Sequence, residues 1–483
     1  MPSNSEILSR LAALREADAP THGGHVLSYV YDSGLAELDE LAAAAMRLVQ
    51  PVNGLDPTTF TSVAIMEREL IGFARDLLGG DADVVGSITT GGTESCLLAV
   101  KTARDNWTGT GTPRLLAPVT VHAAFQKAAH YFGLTLDLVP VGPDGVVAAD
   151  ALIERMGPDV ALVVVSAPSY PHAALDPIAA VAAAALERGI DCHVDACIGG
   201  WVLPFWEGLE PWDLRVAGVT SLSADLHKFG YSPKGASVLL QRGRDRQRAQ
   251  YFATTRWPGY PVVNPTMLGS KSAGPLAAAW AIVQSLGTSG LASLAQSCAR
   301  STASLITLID SIEGLRVVGT PVGPLLAVAA DESVTAERRV DPHHWADQVR
   351  ANGWLLQLQP GLTQSDGTHL PHTTHLTITP VTEGVLPALS AALVQSADEV
   401  RGIPQVDVNP VLGGLPPLDA PFDSATAWAL LSGLGIGSGD SALPDRMAPL
   451  LGLMEQLPAP VAERLLTELL ARLVEPAQPE GTQ

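Results

Sequence analysis

The chain has 483 residues, enough for two or three domains, because a single hydrophobic core rarely grows beyond about 250 to 300 residues. Hydrophobic residues make up 47% of it, which excludes global disorder. The formal net charge of −21 excludes nucleic acid and anionic membrane surfaces as general partners. Four cysteines without a CxxC pair are too few for a disulfide framework, so a cytoplasmic location is predicted.

In chain order, residues 1–60 read as an N-terminal arm around the Ala-rich helix LAELDELAAAAMRL. Between residues 61 and 300, helical stretches alternate with the apolar runs VTVH, LDLVPV, VALVVVSAP, IDCHVDA, VTSLSAD and ASVLLQ. This alternation predicts an α/β fold in which helices wrap a largely parallel sheet. One helix is expected to begin with Asp176 as its cap and Pro177 in its first turn, and to end at Gly189.

An uncharged stretch at residues 272–299 is long enough to cross a bilayer, but Gly, Pro, Ser, Thr and Gln interrupt it. We interpret it as a buried helix plus a turn and predict no membrane insertion. Residues 301–402 combine short apolar runs with two helices, which predicts a small C-terminal α+β domain. Residues 403–483 read as a Pro/Gly linker and a helical tail.

The segment SLSADLHKFGYSPKG, residues 221–235, carries the strongest chemical signal because it follows one apolar strand and precedes another. Lys228 stands directly after His227, and a desolvated lysine beside a cationic neighbour loses its proton more easily and can condense with an aldehyde. Taken alone, the lysine of an HK dipeptide is more often a surface residue in a turn. Other features of the sequence therefore decide between the two interpretations.

Three further segments favour the chemical interpretation. Asp195, in HVDACIGG, ends a strand where a carboxylate can pair with a ring nitrogen, although it could equally cap a helix. Gly92 and Thr93 precede a helix, where free N–H groups bind anions, although most such turns are plain caps. His122 ends the run VTVH and could stack on a cofactor ring or be an ordinary strand-end histidine.

In this order the elements resemble the group II decarboxylases among the fold-type I pyridoxal-phosphate enzymes, and within them the sphingosine-1-phosphate lyases. The resemblance rests on TTGGTES, HAAFQKAAHYFG, SAPSYPHAALDPI, HVDACIGG, SADLHKFGYSPKG and NPTMLGS, which together cover roughly residues 24 to 290. It implies a transferase-like large domain with a mostly parallel seven-stranded sheet, pyridoxal 5'-phosphate as cofactor, a small-molecule amine as substrate and a homodimer with composite active sites.

The resemblance also assigns roles to individual cofactor-binding residues. Lys228 would form the Schiff base, Asp195 would pair with the ring nitrogen, and His122 and Ala196 would contact opposite faces of the ring. The phosphate would be held by Gly92, Thr93 and His227, together with Gly269 and Ser270 from the partner subunit.

For catalysis, the resemblance adds Tyr31, Lys234 and Tyr170 to the pocket, and Lys234 distinguishes the lyases from many amino-acid decarboxylases. It therefore implies cleavage of a Cα–Cβ bond with release of an aldehyde. Asp56 stands where these lyases carry a histidine that helps bind substrate phosphate. This departure keeps an amino-acid decarboxylase as the alternative, and a catalytically silent scaffold is a third possibility.

The spacing of His369, His372 and His375 invites a metal interpretation, but the segment HLPHTTH contains a proline and enters an apparent strand. Their side chains would then not converge as they would on a helix. No metal site is predicted.

Overall fold

The computed structural model describes residues 2–407, 423–433, 436 and 445–476. The predicted linker falls mostly on residues 408–422, which lie outside the described residues. The helices are α1 (Asn4–Arg15), α2 (Ala36–Leu48), α3 (Thr61–Leu77), α4 (Gly92–Asn106), α5 (Ala123–Phe132), α6 (Ala149–Ile153), α7 (Ile178–Arg188), α8 (Arg244–Arg248), α9 (Gly274–Ser311), α10 (Pro342–Ala351), α11 (Thr382–Val400), α12 (Ser424–Gly433), α13 (Ala448–Gln456) and α14 (Ala459–Leu473).

The strands form one large sheet, one smaller sheet and two two-stranded ribbons. They are β1 (Val84–Thr89), β2 (Arg114–Pro118), β3 (Thr135–Val139), β4 (Val160–Ser166), β5 (Asp191–Asp195), β6 (Ser221–Ala224), β7 (Ser237–Arg242), β8 (Phe252–Thr254), β9 (Val262–Asn264), β10 (Leu315–Val317), β11 (Leu325–Ala330), β12 (Gln357–Gln359), β13 (Leu362–Thr363), β14 (His369–Leu370) and β15 (Thr373–Thr377).

The large sheet has seven strands in the order β1-β7-β6-β5-β4-β2-β3. Only β7 runs against its neighbours, and the four pairings from β6 to β3 are parallel. Every residue of β4 is buried, as expected for a central parallel strand covered by helices on both faces. The prediction of an α/β fold around a mostly parallel seven-stranded sheet is therefore confirmed.

This topology gathers several chain segments at one edge of the sheet. Strands β2, β4, β5 and β6 all end there, and β1 points the same way because two antiparallel pairings relate it to β6. Ligands of open α/β sheets bind in crevices outside the carboxyl ends of the strands. The same edge therefore receives the segments that the sequence singled out.

Two local predictions were wrong. The run VTVH is not a strand, because β2 ends at Pro118 and His122 is instead the N-cap of α5. Asp176 does not cap α7, since its Oδ2 accepts a hydrogen bond from the Ser166 N–H at 2.7 Å. Pro177 is the N-cap of that helix, and Gly189 ends it in the left-handed conformation, as predicted.

The second sheet has the antiparallel order β10-β11-β15-β12, and α10 and α11 pack beside it. Its strands match the apolar runs predicted within residues 301–402. The division of the chain into residues 1–60, 61–300, 301–402 and 403–483 stays a prediction.

From residue 274 onward, the uncharged stretch at residues 272–299 forms the first part of α9, whose helical geometry is interrupted at Gly287, where φ is 54°. In the described part of the chain, no helix combines the length and apolarity that crossing a membrane requires. The described tail consists of α12, α13 and α14. Asp347 of α10 accepts hydrogen bonds from the Met447 and Ala448 N–H groups, so the beginning of α13 is attached to the second sheet's helices.

Candidate active site

A cavity of about 730 Å³ opens at the carboxyl edge of the large sheet. It has the size of a small-molecule or cofactor site. Of the residues predicted from the sequence, the structure brings nine to its wall: Tyr31, Gly92, Thr93, His122, Tyr170, Asp195, His227, Lys228 and Lys234.

Three predicted residues do not line this cavity. Ala196 is fully buried behind Asp195, and the neighbouring Cys197 lines the wall instead. Gly269 and Ser270 are exposed, and Ser270 Oγ lies 3.2 Å from Asn53 Nδ2 in the arm. The expectation that these two residues serve a partner subunit stays a prediction.

Lys228 is held by a neighbour that the sequence reasoning missed. Its Nζ lies 2.9 Å from Oδ2 of Asp225, a side chain that is 1% exposed. Burial by itself would lower the pKa of Lys228, but the Asp225 carboxylate together with Tyr31, Cys197 and Asp195 outweighs burial and holds that pKa well above its usual value. The predicted reason for a reactive lysine, a lowered pKa beside His227, is therefore wrong, because the dominant neighbour is an anion.

His227 has a defined tautomer. Its Nδ1 accepts hydrogen bonds from the Gly235 and Ala236 N–H groups at 3.4 and 3.3 Å, so the ring proton lies on Nε2. Nε2 is 3.5 Å from Asp225 Oδ2, and burial lowers the pKa of His227. His227 lines the cavity, and its Nε2–H lies next to the Asp225 carboxylate.

In the turn between β1 and α4, glycines allow the backbone to lie close to neighbouring groups. Gly91 has φ 149°, which favours glycine, and a Cβ at Gly92 would lie 2.5 Å from Asp225 Oδ2. Helix α4 begins at Gly92, and the first N–H groups of a helix have no intrahelical acceptor. This end of the cavity therefore offers several hydrogen-bond donors to an anion.

Asp195 ends β5 and is 7% exposed. Its Oδ1 accepts a hydrogen bond from the Cys197 N–H at 3.1 Å, and the Ser223 hydroxyl lies 3.5 Å away. Both contacts end on one oxygen, which leaves Oδ2 for a ligand in the cavity. His122 also lines the cavity, and its Nδ1 accepts a hydrogen bond from the Ala124 N–H at 3.2 Å.

Lys234 and Tyr31 form a second pair beside Lys228. The Lys234 Nζ lies 4.6 Å from the centre of the Tyr31 ring and donates a hydrogen bond to the His227 carbonyl at 3.1 Å. Burial and then the charge of Lys228 lower the pKa of Lys234 to about 8, while burial raises that of Tyr31 to about 12. Near neutral pH, Tyr31 is a proton donor and Lys234 is close to its titration point.

Tyr170 lies on the side of the cavity nearest the second sheet. Its hydroxyl donates to Gln357 Oε1 at 2.5 Å, and its ring stacks on the buried His375 at 4.2 Å. Gln357 also lines the cavity, and no local sequence pattern points to it. His369 and His372 both lie 3.8 Å from Glu455, and His372 also contacts Asp341, whereas His375 stacks on Tyr170, so the three histidines do not share one site.

Asp56 does not line the cavity. Its carboxylate accepts hydrogen bonds from the hydroxyl and N–H groups of Thr58 and Thr59 in its own turn, and these bonds lower its pKa. Asp56 therefore caps its own turn, and in this chain it does not reach the cavity.

Two models of known protein families match this chain. The pyridoxal-dependent decarboxylase conserved domain matches residues 59–325, more than half of the chain. The chain belongs to the pyridoxal-dependent decarboxylase family. A second model, the C-terminal putative HTH domain of pyridoxal-dependent enzymes, matches residues 407–472.

Similar relatives within this family are sphingosine-1-phosphate lyases. The protein from Dictyostelium discoideum is 36% identical over 68% of this chain and 63% of its own length, and that from Oryza sativa subsp. japonica is 31% identical over 86% and 76%. The alignments with the first three relatives cover 61 to 63% of those proteins' lengths.

Solved structures agree with this assignment. The sphingosine-1-phosphate lyase of Burkholderia pseudomallei superimposes with a TM-score of 0.76 at 31% identity, covering 83% of this chain and 92% of that one. Glutamate decarboxylase of Lactobacillus brevis has a TM-score of 0.73 at 17% identity, covers 84% and 95%, and supports the fold alone. The predicted resemblance and the predicted cofactor, pyridoxal 5'-phosphate, are confirmed.

The residues of the cavity fit this cofactor. The glycine turn and the start of α4 suit its phosphate, and the free oxygen of Asp195 suits its ring nitrogen. Asp225 Oδ1 is buried without a hydrogen-bond partner in the described chain, which marks a polar atom that a bound group could satisfy. Lys228 on the cavity wall is the amine that could bond to its aldehyde carbon.

Proposed function

We propose that the chain is a pyridoxal-phosphate-dependent lyase that cleaves the Cα–Cβ bond of an amino alcohol and releases an aldehyde. When bound, the cofactor supplies an electron sink that weakens a bond at Cα of the substrate amine. In this proposal Lys228 binds the cofactor, Asp195 holds its ring nitrogen and His122 contacts a ring face. Gly92, Thr93 and His227 bind its phosphate.

The pair formed by Lys234 and Tyr31 carries the choice of reaction. Aldehyde release requires a base for the proton of the substrate's β-hydroxyl, whereas decarboxylation requires none at that position. Lys234 Nζ, with a pKa of about 8, can take this proton, and the protonated Tyr31 hydroxyl can orient the same oxygen. Tyr170 and Gln357 would shape the wall beyond it.

Separate product assays distinguish the candidate reactions. The cofactor-loaded chain is incubated with phosphorylated and unphosphorylated sphingoid bases and with the common amino acids, and aldehyde and carbon dioxide are measured separately. We expect aldehyde from a sphingoid base and no carbon dioxide. Carbon dioxide from an amino acid without aldehyde would select the decarboxylase. A chain that makes neither product and stays colourless after addition of pyridoxal phosphate would be a scaffold.

The pKa of Lys234 predicts a pH dependence. The neutral amine is the active form of a base, so turnover should rise as the pH increases through about 8. Replacement Lys234→Arg keeps a positive charge that does not titrate in this range, and should lower turnover by a factor of about 10² to 10⁴ and abolish the rise.

Lys127→Arg is a matched control, because Lys127 Nζ contacts the Tyr131 ring and does not line the cavity. It should keep the wild-type profile. An unchanged rise near pH 8 in Lys234→Arg would show that another group is the base.

We also propose that the chain acts as a homodimer in the cytoplasm. Two features support the dimer: Gly269 and Ser270 lie outside the cavity of their own chain, and α1 exposes Ile7, Leu8 and Leu14 without burying any residue. The four cysteines are all unpaired, which supports a reducing compartment.

Subunit mixing tests whether the sites are composite. Tyr31 lies in the cavity of its own chain, so the informative residue for subunit mixing is Ser270. If Ser270 completes the other subunit's site, a Lys228→Ala chain mixed equally with a Ser270→Trp chain should form about one quarter wild-type sites and regain activity. A mixture no more active than its separate components would contradict composite sites.

A further inference from the structure

Two cysteines face Asp195 inside the cavity. Cys96 belongs to α4, Asp195 ends β5 and Cys197 follows it, so three separate backbone positions converge on one place. One ligand atom from each of these side chains lies within 4.8 Å of the others, and all three residues line the cavity wall. A search of the described residues for three His, Cys, Asp or Glu side chains with this spacing finds this group.

The three ligand atoms are somewhat farther apart than in a metal centre, and small side-chain movements would bring them to bonding distance. Zinc–sulfur bonds of about 2.3 Å and zinc–oxygen bonds of about 2.0 to 2.2 Å place tetrahedral ligand atoms roughly 3.5 to 3.8 Å apart. Two sulfurs with one carboxylate form a donor set that favours soft or borderline ions such as Zn²⁺ and Cd²⁺.

We propose that the cofactor-free cavity binds one thiophilic divalent cation through Cys96, Asp195 and Cys197. The two thiols are the proton source: each gives its proton to solvent as its sulfur bonds the cation, and no electron is transferred. The bound group then carries two thiolates, one carboxylate and the cation, a net charge of −1.

The cation and the cofactor exclude each other. This step rests on the proposed function, in which Asp195 pairs with the ring nitrogen, because a carboxylate engaged by a cation cannot make that bond. The cation would thus act as an inhibitor of cofactor loading rather than as a catalyst.

Cadmium titration of the full chain, reduced and freed of cofactor, tests the site. The cadmium–thiolate absorbance band should saturate at one Cd²⁺ per chain. Cys96→Ser and Cys197→Ser should each weaken binding by at least about 10- to 100-fold. Losses of that size already follow when a residue that only supports a metal ligand is removed, and here the ligand itself is replaced. Cys298→Ser is the matched control, since Cys298 is buried in α9 and does not line the cavity.

Several outcomes would overturn the proposal. The wild-type chain decides the first point without any variant: absence of the thiolate band at saturating Cd²⁺ rules the site out. A band that survives in both serine variants, or disappears equally in Cys298→Ser, places the cation elsewhere.

Competition completes the test. Added pyridoxal phosphate should displace Cd²⁺ from the wild-type chain, and persistence of the full band in the loaded protein would refute mutual exclusion. Lys228→Ala should still bind Cd²⁺ through the same three residues. Failure of the cation site and failure of the proposed lyase reaction are therefore separate observations.

Discussion

Lys228→Ala should abolish turnover and the visible absorbance of the bound cofactor. Lys228 is the lysine whose Nζ lies beside Asp225 on the wall of the cavity, and alanine leaves no amine there to bond the cofactor. The rate should fall by at least about 10² to 10⁴, the range in which a positioned proton-transfer group contributes. The measurements are the aldehyde assay and the visible spectrum after gel filtration with cofactor.

Lys234→Ala is the matched control for this experiment. Lys234 lies in the same cavity, so its loss should reduce turnover while the cofactor absorbance persists. If Lys228→Ala kept both the absorbance and the activity, another lysine would hold the cofactor.

Asp225→Asn should have the second largest effect, and on stability as well as activity. It leaves the Lys228 ammonium without its anionic partner, and breaking a buried ion pair costs about 3 to 5 kcal/mol. The expected result is an equally large decrease in the free energy of unfolding of the cofactor-free chain, measured by urea denaturation near neutral pH. Lys228 should also lose its raised pKa.

A double variant separates the ion pair from general damage. Lys228→Met with Asp225→Asn removes both charges, so it should be less destabilised than the sum of the single variants. Asp176→Asn is the matched control, because Asp176 is buried without a cation and burial raises its pKa to about 7. Equal destabilisation by Asp176→Asn and Asp225→Asn would show that the Lys228–Asp225 ion pair does not account for the effect.

The sequence predicted the large sheet and most of the cavity because these depend on local patterns. Apolar runs separated by helices fix a parallel sheet, and residues that directly follow such strands must meet at one edge. Asp195 and Lys228 reach the cavity for this reason, and Thr93 does so because the glycine turn begins α4.

The mistakes concern residues whose partners are distant or compete locally. Asp176 was predicted to cap a helix, but its carboxylate instead accepts a hydrogen bond from the Ser166 N–H at the end of β4. Asp225 was overlooked although it stands three residues before Lys228, a spacing that joins side chains across a turn. Gln357 meets Tyr170 across 187 residues of chain, and no local pattern encodes such a contact.

The tail shows a different limit. Its helices were predicted, yet their membership in a C-terminal domain of pyridoxal-dependent enzymes came only from comparison. The attachment of α13 depends on Asp347, which accepts hydrogen bonds from two N–H groups about 100 residues further along the chain. Asp347 had no distinguishing feature in the sequence.

Borohydride reduction followed by peptide mapping tests the central claim most directly. The loaded chain is reduced, digested and searched for the peptide that carries the cofactor. The account predicts the label on Lys228, within the segment SADLHKFGYSPKG, and its complete loss in Lys228→Ala. Label on Lys234 or on Lys127 in the wild-type chain would contradict it.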